Sequence, residues 1–443
     1  MPRKFTFIGA GSLGFTRSLV RDILSFDAFK DAEIHLMDIH EGRLAYSEKA
    51  IQKLIAAGNY PATVYATTDR KKALEGADGV LITILQGGVD VWRHDIEIPK
   101  KYGVDINVGD TRGPAGVFRF LRTAPVMLDI IRDVEKLCPE AIVLNYTNPM
   151  GLLCSYLQRQ SKVKVTGLCH SVQGTASMLA DWIGAKQGEY SFTCAGINHQ
   201  AFYLDFKVKG QDAYPLIYDK VTNDPAILNA EQIRNEMYLQ LGYYPTESSG
   251  HNSEYLPWFR KRKDLIEKYC THGTNWNPGE YAYILNEYLK AENTWEAMFN
   301  EFLDKDDVDL NRGEEYASNI FNAIFGDGEP FMFNGNQLNN GLITNLPPLA
   351  CVETPVLATK SGLQYMHIGD LPDNLATLIS LSAQIEKMVV DAIIEGDPWK
   401  VFQANLFDPL SAAVLSMAEI KEMTQEMFDK NAGYLGYFKT LNI

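Results

Sequence analysis

The sequence has no run of about 18 apolar residues, so no segment reads as a membrane-crossing helix. Basic residues are in the minority. Lys and Arg number 41 against 56 Asp and Glu, a formal net charge of −15. With no basic stripe to offset it, that balance excludes nucleic acid and an anionic membrane as partners. The six cysteines (Cys138, Cys154, Cys169, Cys194, Cys270 and Cys351) are scattered without CxxC pairing. Most of them are expected to be buried thiols. The start carries no secretory apolar region and runs straight into a strand and a glycine turn, so a cytoplasmic location is expected. Fixed-period repeats and low-complexity linkers are missing as well.

What is present is enough apolar residue, 46% of 443, to fill a large core. The length suggests two units, a dinucleotide-binding domain over residues 1–190 and a second, α+β lobe over 191–443 for substrate, metal and self-association. In the first unit, apolar β-like runs at 4–9, 33–37, 79–84 and 141–144 alternate with helical spacing at 16–26 and 70–76. This alternation predicts a doubly wound parallel sheet, an α/β fold of the lactate and malate dehydrogenase kind. In the second, residues 334–355 read as loop joined to short strands, and 293–312 as a polar, acidic stretch. The apolar spacing of Leu375, Leu378, Ile379, Leu381, Ile385, Met388 and Val389 predicts helix over 373–431.

Gly9-x-Gly11-x-x-Gly14 follows a strand and precedes a helix, the context that lets glycines admit a pyrophosphate to a helix N-terminus. Asp38 ends the second strand, where a carboxylate can accept both adenosine ribose hydroxyls. It would repel a 2′-phosphate, so NAD is expected over NADP. Arg43 could reach the adenosine end or remain a solvated helix residue.

Three further segments fall at strand ends: 108–114, 145–149 and the loop around Cys169. Cys169 and His199 offer a thiolate and an imidazole to a divalent metal, leaving open positions for substrate oxygens. Asn148, before Pro149, suits a substrate hydroxyl, or is a turn residue. Asp110 reads as a group for sugar hydroxyls or metal support, or as a helix N-cap. His170 reads as an acid, a hydrogen-bond donor or a structural histidine. The stretch 243–255 is rich in hydroxyls and carboxylates, fit for carbohydrate or proton transfer.

Taken together these segments resemble the NAD- and Mn²⁺-dependent glycoside hydrolases of family 4. The resemblance covers most of the chain. Its motifs are Phe7-Ile8-Gly9-Ala10-Gly11-Ser12, Gly109-Asp110-Thr111 with Gly113-Pro114-Ala115-Gly116, and Asn145-Tyr146-Thr147-Asn148-Pro149. It continues through Gly167-Leu168-Cys169-His170-Ser171-Val172, Ala195-Gly196-Ile197-Asn198-His199, Pro245-Thr246-Glu247-Ser248-Ser249, residues 340–347 and Val352-Glu353-Thr354-Pro355.

The resemblance implies a glycosidase that works by transient redox chemistry, outside the usual scheme of two opposed carboxylates. The sugar is oxidised at C3 with NAD, deprotonated at C2 and loses its aglycone from C1. Water then adds and the hydride returns, with no net redox. The implied metal is Mn²⁺, or another divalent ion, on Cys169 and His199. The implied base is a tyrosine, matched by position to Tyr255, with Tyr243 and Tyr244 as alternatives.

Members acting on phosphorylated disaccharides carry Asp or Asn after the cysteine. His170 stands there in this chain, in a Cys-His-Ser-Val form similar to the α-galactosidase branch. An unphosphorylated α-galactoside such as melibiose or raffinose is therefore expected, with His170 assisting the leaving group or binding sugar. An α-glucosidase or uronidase is the alternative; Arg260 or Arg262 aimed at a C6 carboxylate would favour the uronidase. The resemblance also implies homodimers or homotetramers. A 2-hydroxy-acid dehydrogenase shares the sheet and an Asn-Pro segment but needs no metal. A non-catalytic nucleotide sensor would not need Cys169 or His199.

Overall fold

Short, nearly continuous apolar runs form the first six strands of the computed structural model, which describes residues 2–271 and 277–443. They are β1 (Lys4–Ile8), β2 (Glu33–Met37), β3 (Thr63–Thr67), β4 (Gly79–Ile82), β5 (Ile142–Asn145) and β6 (Lys164–Gly167). All pair in parallel in the order β3-β2-β1-β4-β5-β6. β4 and β5 are buried at every position, as strands covered by helices on both faces must be. The order reverses between β1 and β4, which opens a crevice at their carboxyl ends.

The rest of the chain extends the same sheet instead of building a separate one. β7 (Tyr190–Ile197), β8 (Gln200–Val208), β9 (Gln211–Asp212), β10 (Phe331–Leu338), β11 (Cys351–Thr359) and β12 (Gly362–Tyr365) are antiparallel to their neighbours. Beyond β6 the order is β10-β11-β7-β8-β9, with β12 against β11, twelve strands among the described residues.

One apolar core lies under the helices Gly113–Leu137, Met150–Gln160, Asp373–Glu395 and Met417–Asn431, and another under Leu13–Leu24, Glu41–Ala57 and Ala317–Phe325. The expected helical end is present. Leu375, Ile379, Val389 and Val390 on Asp373–Glu395 are fully buried, and truncating one such side chain to Ala costs about 2–5 kcal/mol. Leu381, by contrast, is exposed.

Residues 334–355 are, as expected, loop joined to strand, but the strands are the ends of two long ones, β10 and β11, and the acidic stretch at 293–312 begins inside the helix Tyr283–Asp304. One reading is corrected. Asp110 is not a helix N-cap, because the next helix starts at Gly113 with Arg112 before it. Among the described residues no helix is long and apolar enough to cross a membrane.

Candidate active site

Glycine at position 9 has φ 87°, and a Cβ there would lie 2.2 Å from the Thr83 carbonyl oxygen. Only glycine lets the turn after β1 press against β4. The Gly11 N–H donates to Asp38 Oδ2 at 2.7 Å and the His40 N–H to Asp38 Oδ1 at 2.9 Å, so the acidic end of β2 ties down the glycine loop. Ser12 precedes the helix Leu13–Leu24 without a side-chain capping bond, and a Cβ on Gly14 would meet nothing within 4 Å. The positive helix end thus faces open space, as an anionic pyrophosphate requires. Arg43 lies beside Gly11 with its guanidinium 5.3 Å from the Trp295 ring centroid, and Ile39, next to Asp38, is 85% exposed. Ile39 and the Trp295 ring give the Asp38–Arg43 end of the crevice an apolar, aromatic flank of the kind that fits an adenosine.

The metal-type donors converge at the carboxyl edge of β6. Cys169 follows that strand, while His199 stands in the two-residue turn between β7 and β8. His199 Nε2 lies 3.2 Å from Cys169 Sγ and 3.2 Å from Glu247 Oε2. Burial above all pushes the His199 imidazole down to about 4. It is therefore neutral at pH 7, ready to give a lone pair, and its contact with Glu247 is not an ion pair. Burial, with Glu247 and Glu353 nearby, pushes the Cys169 thiol well above its ordinary value. A bound divalent cation inverts that preference and holds the thiolate. The donor set fits a divalent metal. The other five cysteines are buried and unpaired, as expected.

Around this centre the structure gathers most of the expected residues. The Tyr255 hydroxyl lies 3.2 Å from His199 Nδ1, and its ring centroid is 5.0 Å from the Arg112 guanidinium. Asp110 accepts from Thr111 Oγ1 at 2.7 Å and from Asn148 Nδ2 at 2.9 Å, and lies 3.8 Å from His251 Nε2. Burial alone would raise the Asp110 carboxyl, but His251, Arg119 and His199 outweigh it and hold it below the usual range. Asn148 keeps a buried Oδ1 without a partner.

His170 is half exposed, meets Glu315 at 2.5 Å and stacks on Tyr146. The alternative tyrosines and the arginines point elsewhere. Tyr244 bonds Asn235, and Tyr243 packs near Tyr214. Arg260 is buried against Asp105, and Arg262 pairs with Asp264 on the surface.

Sequence reasoning passed over Thr111, Arg112, Glu247, His251, Glu254 and Glu353 as individual site residues. Glu247 lay in the motif segment 245–249, and His251 and Glu254 in the polar stretch 243–255, but neither signal singled out an individual side chain. Glu353 is buried in mid-sheet, and its carboxyl is pushed up to about 8, by burial first and then by Glu247. Arg112 reaches Asn198 and Glu386, both at 2.8 Å.

Comparison with known proteins gives the following. The pattern of the family described as "Family 4 glycosyl hydrolase" matches residues 4–185, and that of its C-terminal domain matches 194–411. The chain is 36% identical to an alpha-galactosidase of Bacillus subtilis over 99% of this chain and 100% of the relative. Identity to an alpha-galactosidase of Rhizobium meliloti is also 36%, over 98% and 89%. Of solved structures, lplD from Bacillus subtilis superposes with a TM-score of 0.83 at 26% identity, covering 96% of this chain and 99% of that one. A 6-phospho-alpha-glucosidase from gut microorganisms, solved with NAD and Mn²⁺, gives 0.80 at 19% identity over 98% and 99%. A malate dehydrogenase of Cryptosporidium parvum gives 0.51 at 17% over 89% and 100%, a likeness of fold alone.

Proposed function

The chain belongs to family 4 of the glycosyl hydrolases, and from that premise we propose that it cleaves terminal α-galactosides of the melibiose and raffinose type. The observation that carries the reading is the 3.2 Å approach of Cys169 Sγ and His199 Nε2, with Asn148, Asp110 and Tyr255 around it, at the carboxyl edge of a dinucleotide-type sheet. When bound, NAD⁺ supplies a reversible hydride acceptor for sugar C3, and a divalent ion on Cys169 and His199 supplies Lewis acidity toward the sugar oxygens.

This chain's own residues do the rest. Asn148 Oδ1, buried and without a partner, accepts from a sugar hydroxyl, while the bond from its Nδ2 to Asp110 fixes the amide's orientation. Tyr255 takes the proton from C2. Burial, Asp110 and Glu254 all push its phenol up, and the Arg112 cation over its ring opposes them. The aglycone leaves from C1 and water adds there.

His170, half exposed and paired with Glu315, suits a binding group for the outer sugar or an aid to the leaving group. A uronide needs a cation for its carboxylate, and both Arg260 and Arg262 are already engaged, which favours the neutral galactoside. A reducing cytoplasm, which keeps the Cys169 thiol available, suits this chemistry, and we infer association as homodimers or homotetramers.

The test is hydrolysis of 4-nitrophenyl α-galactoside with NAD⁺, Mn²⁺ and a thiol each present or omitted, with the α-glucoside and α-glucuronide alongside. Cleavage of the galactoside that requires all three additions is expected. Cleavage of another glycoside only would move the substrate, and no cleavage at all would overturn the reading.

A further inference from the structure

We propose that Glu247 is a third protein ligand of the divalent ion, completing a Cys169–His199–Glu247 set; the inference rests on the reading of Cys169 and His199 as ligands given above. The three donor atoms lie within 4.8 Å of one another, and Nε2 is 3.2 Å from both Sγ and Oε2. Bonds of about 2.1 Å to nitrogen and 2.3 Å to sulfur hold neighbouring ligands roughly 3.1–3.6 Å apart. The observed spacing is therefore that of atoms sharing one ion.

Proton bookkeeping leads to the same place. Thr111 Oγ1 donates its hydrogen to Asp110 Oδ1, so at 3.0 Å it can only accept from His199 Nδ1. Nδ1 therefore carries the imidazole N–H, and Nε2 presents a bare lone pair. That lone pair faces the Glu247 carboxylate oxygen, which brings lone pairs as well. Two such groups at 3.2 Å repel unless a cation lies between them. The single S–H hydrogen of Cys169 cannot serve as one, because the thiol bonds Ser171 Oγ at 3.2 Å.

The surroundings hold Glu247 for this role. Its other oxygen, Oε1, accepts the Ser248 N–H at 2.9 Å and lies 3.2 Å from His251 Nδ1, which leaves Oε2 aimed at the cluster. Outer partners of this kind orient metal ligands. His199 and Glu247 also share an unusual backbone, with φ of 61° and 68°. A left-handed conformation is unfavourable for a non-glycine residue, and here it turns both side chains to the same point.

A thiolate and a carboxylate balance a divalent charge, with the imidazole neutral. The carboxylate also makes the set harder, which suits Mn²⁺ better than a softer ion. Three protein donors on one side leave the opposite side to substrate oxygens.

The experiment is titration of Mn²⁺ into the NAD⁺-loaded enzyme without substrate, read by the electron paramagnetic resonance signal of free Mn²⁺. Glu247→Gln, nearly isosteric, is expected to weaken Mn²⁺ binding at least about tenfold with NAD⁺ affinity unchanged. Equal Mn²⁺ affinity in Glu247→Gln and the unmutated enzyme would overturn the proposal, leaving Glu247 a proton-transfer or substrate group. Failure of the unmutated enzyme to bind Mn²⁺ would overturn the metal reading of the whole site. If the variant does not fold, the infrared difference between metal-bound and metal-free unmutated enzyme decides, with ¹³C-labelled glutamate. A glutamate carboxylate band that shifts on Mn²⁺ binding is expected, and an unmoved band overturns the proposal.

Discussion

Glu254 Oε1 lies 2.9 Å from the backbone nitrogen of Gly109, and its other oxygen takes the N–H groups of Asn107 and Val108 at 2.7 and 2.9 Å. One buried carboxylate therefore ties down the loop that presents Asp110 and Thr111 to His199. Gly109 itself has φ 66°, and a Cβ there would come within 2.3 Å of Ile96 Cδ1.

Removing the Glu254 carboxylate should accordingly cost both stability and activity. Glu254→Ala orphans three buried N–H groups, each worth roughly 1–3 kcal/mol when left unpaired. An expected loss of at least about 3 kcal/mol is measurable by denaturant unfolding. A fall in kcat greater than unfolding accounts for should accompany it, as Asp110 and Thr111 drift. A variant as stable and active as the unmutated enzyme would show that the loop holds itself.

Cys169→Ser removes the soft donor while keeping the side chain's size. Metal-dependent hydrolysis should fall by at least about a hundredfold with the thermal transition little changed, since a lost ligand costs more than a lost outer partner, itself worth 10–100-fold. Mild oxidation of the unmutated enzyme should also abolish activity, and a thiol should restore it, because a sulfenic acid or mixed disulfide at Cys169 is reducible. Retained activity in Cys169→Ser would sink the assignment of the metal site.

Glu353 carries a pH signature. Its carboxyl is pushed up to about 8 in the folded chain, against roughly 4.3 in an unfolded one. The native state thus holds a proton that the unfolded state has lost between those two values. Its contribution is fully present below the unfolded value and is lost as pH rises through 8, a change of about 5 kcal/mol at most. Glu353→Gln, which cannot ionise, should therefore gain in Tm relative to the unmutated enzyme as pH rises from 5 to 9. A difference in Tm that does not change with pH would contradict the buried neutral acid.

How much of this could be read from the sequence depended on whether the signal was local. β1, β2 and β4 were legible as apolar runs, and Gly9 with Asp38 as a turn and an acid at adjacent strand ends. β10 and β11 were not. Asn334, Gly335, Asn336 and Pro355 look like loop residues, yet they lie inside a sheet. Asn336 spans β6 and β11 with its side chain, bonding the Gly167 carbonyl and Glu353. Pro355 sits where the second neighbour of β11 changes from β7, opposite Glu353, to β12, opposite Val356. A strand tolerates a residue with no N–H at such a place. Cys169 and His199 stood out through their flanking motifs. Glu247 also lay in a motif, but nothing paired it with His199, because their approach depends on two left-handed residues on separate turns, which no spacing rule encodes.

Tyr255 gives the sharpest test of the chemistry, because its hydroxyl makes one contact that a structural tyrosine would not need. Its ring is fully buried and packs under Arg112, so Tyr255→Phe keeps the apolar contacts and removes only the oxygen beside His199 Nδ1. If that oxygen accepts the C2 proton, kcat should fall by about 10²–10⁴, the usual worth of a general base, with KM little changed. The unmutated enzyme working in D₂O should place deuterium at C2 of the released sugar, and Tyr255→Phe should lose this incorporation along with turnover. Because the phenol is pushed up by burial, Asp110 and Glu254 and pulled down by Arg112, replacing Arg112 by Met should shift the ascending limb of the kcat profile, where the base loses its proton, upward in pH. A tyrosine that merely supports His199 would lower Mn²⁺ affinity on mutation and leave both the isotope incorporation per turnover and the position of that limb where they were.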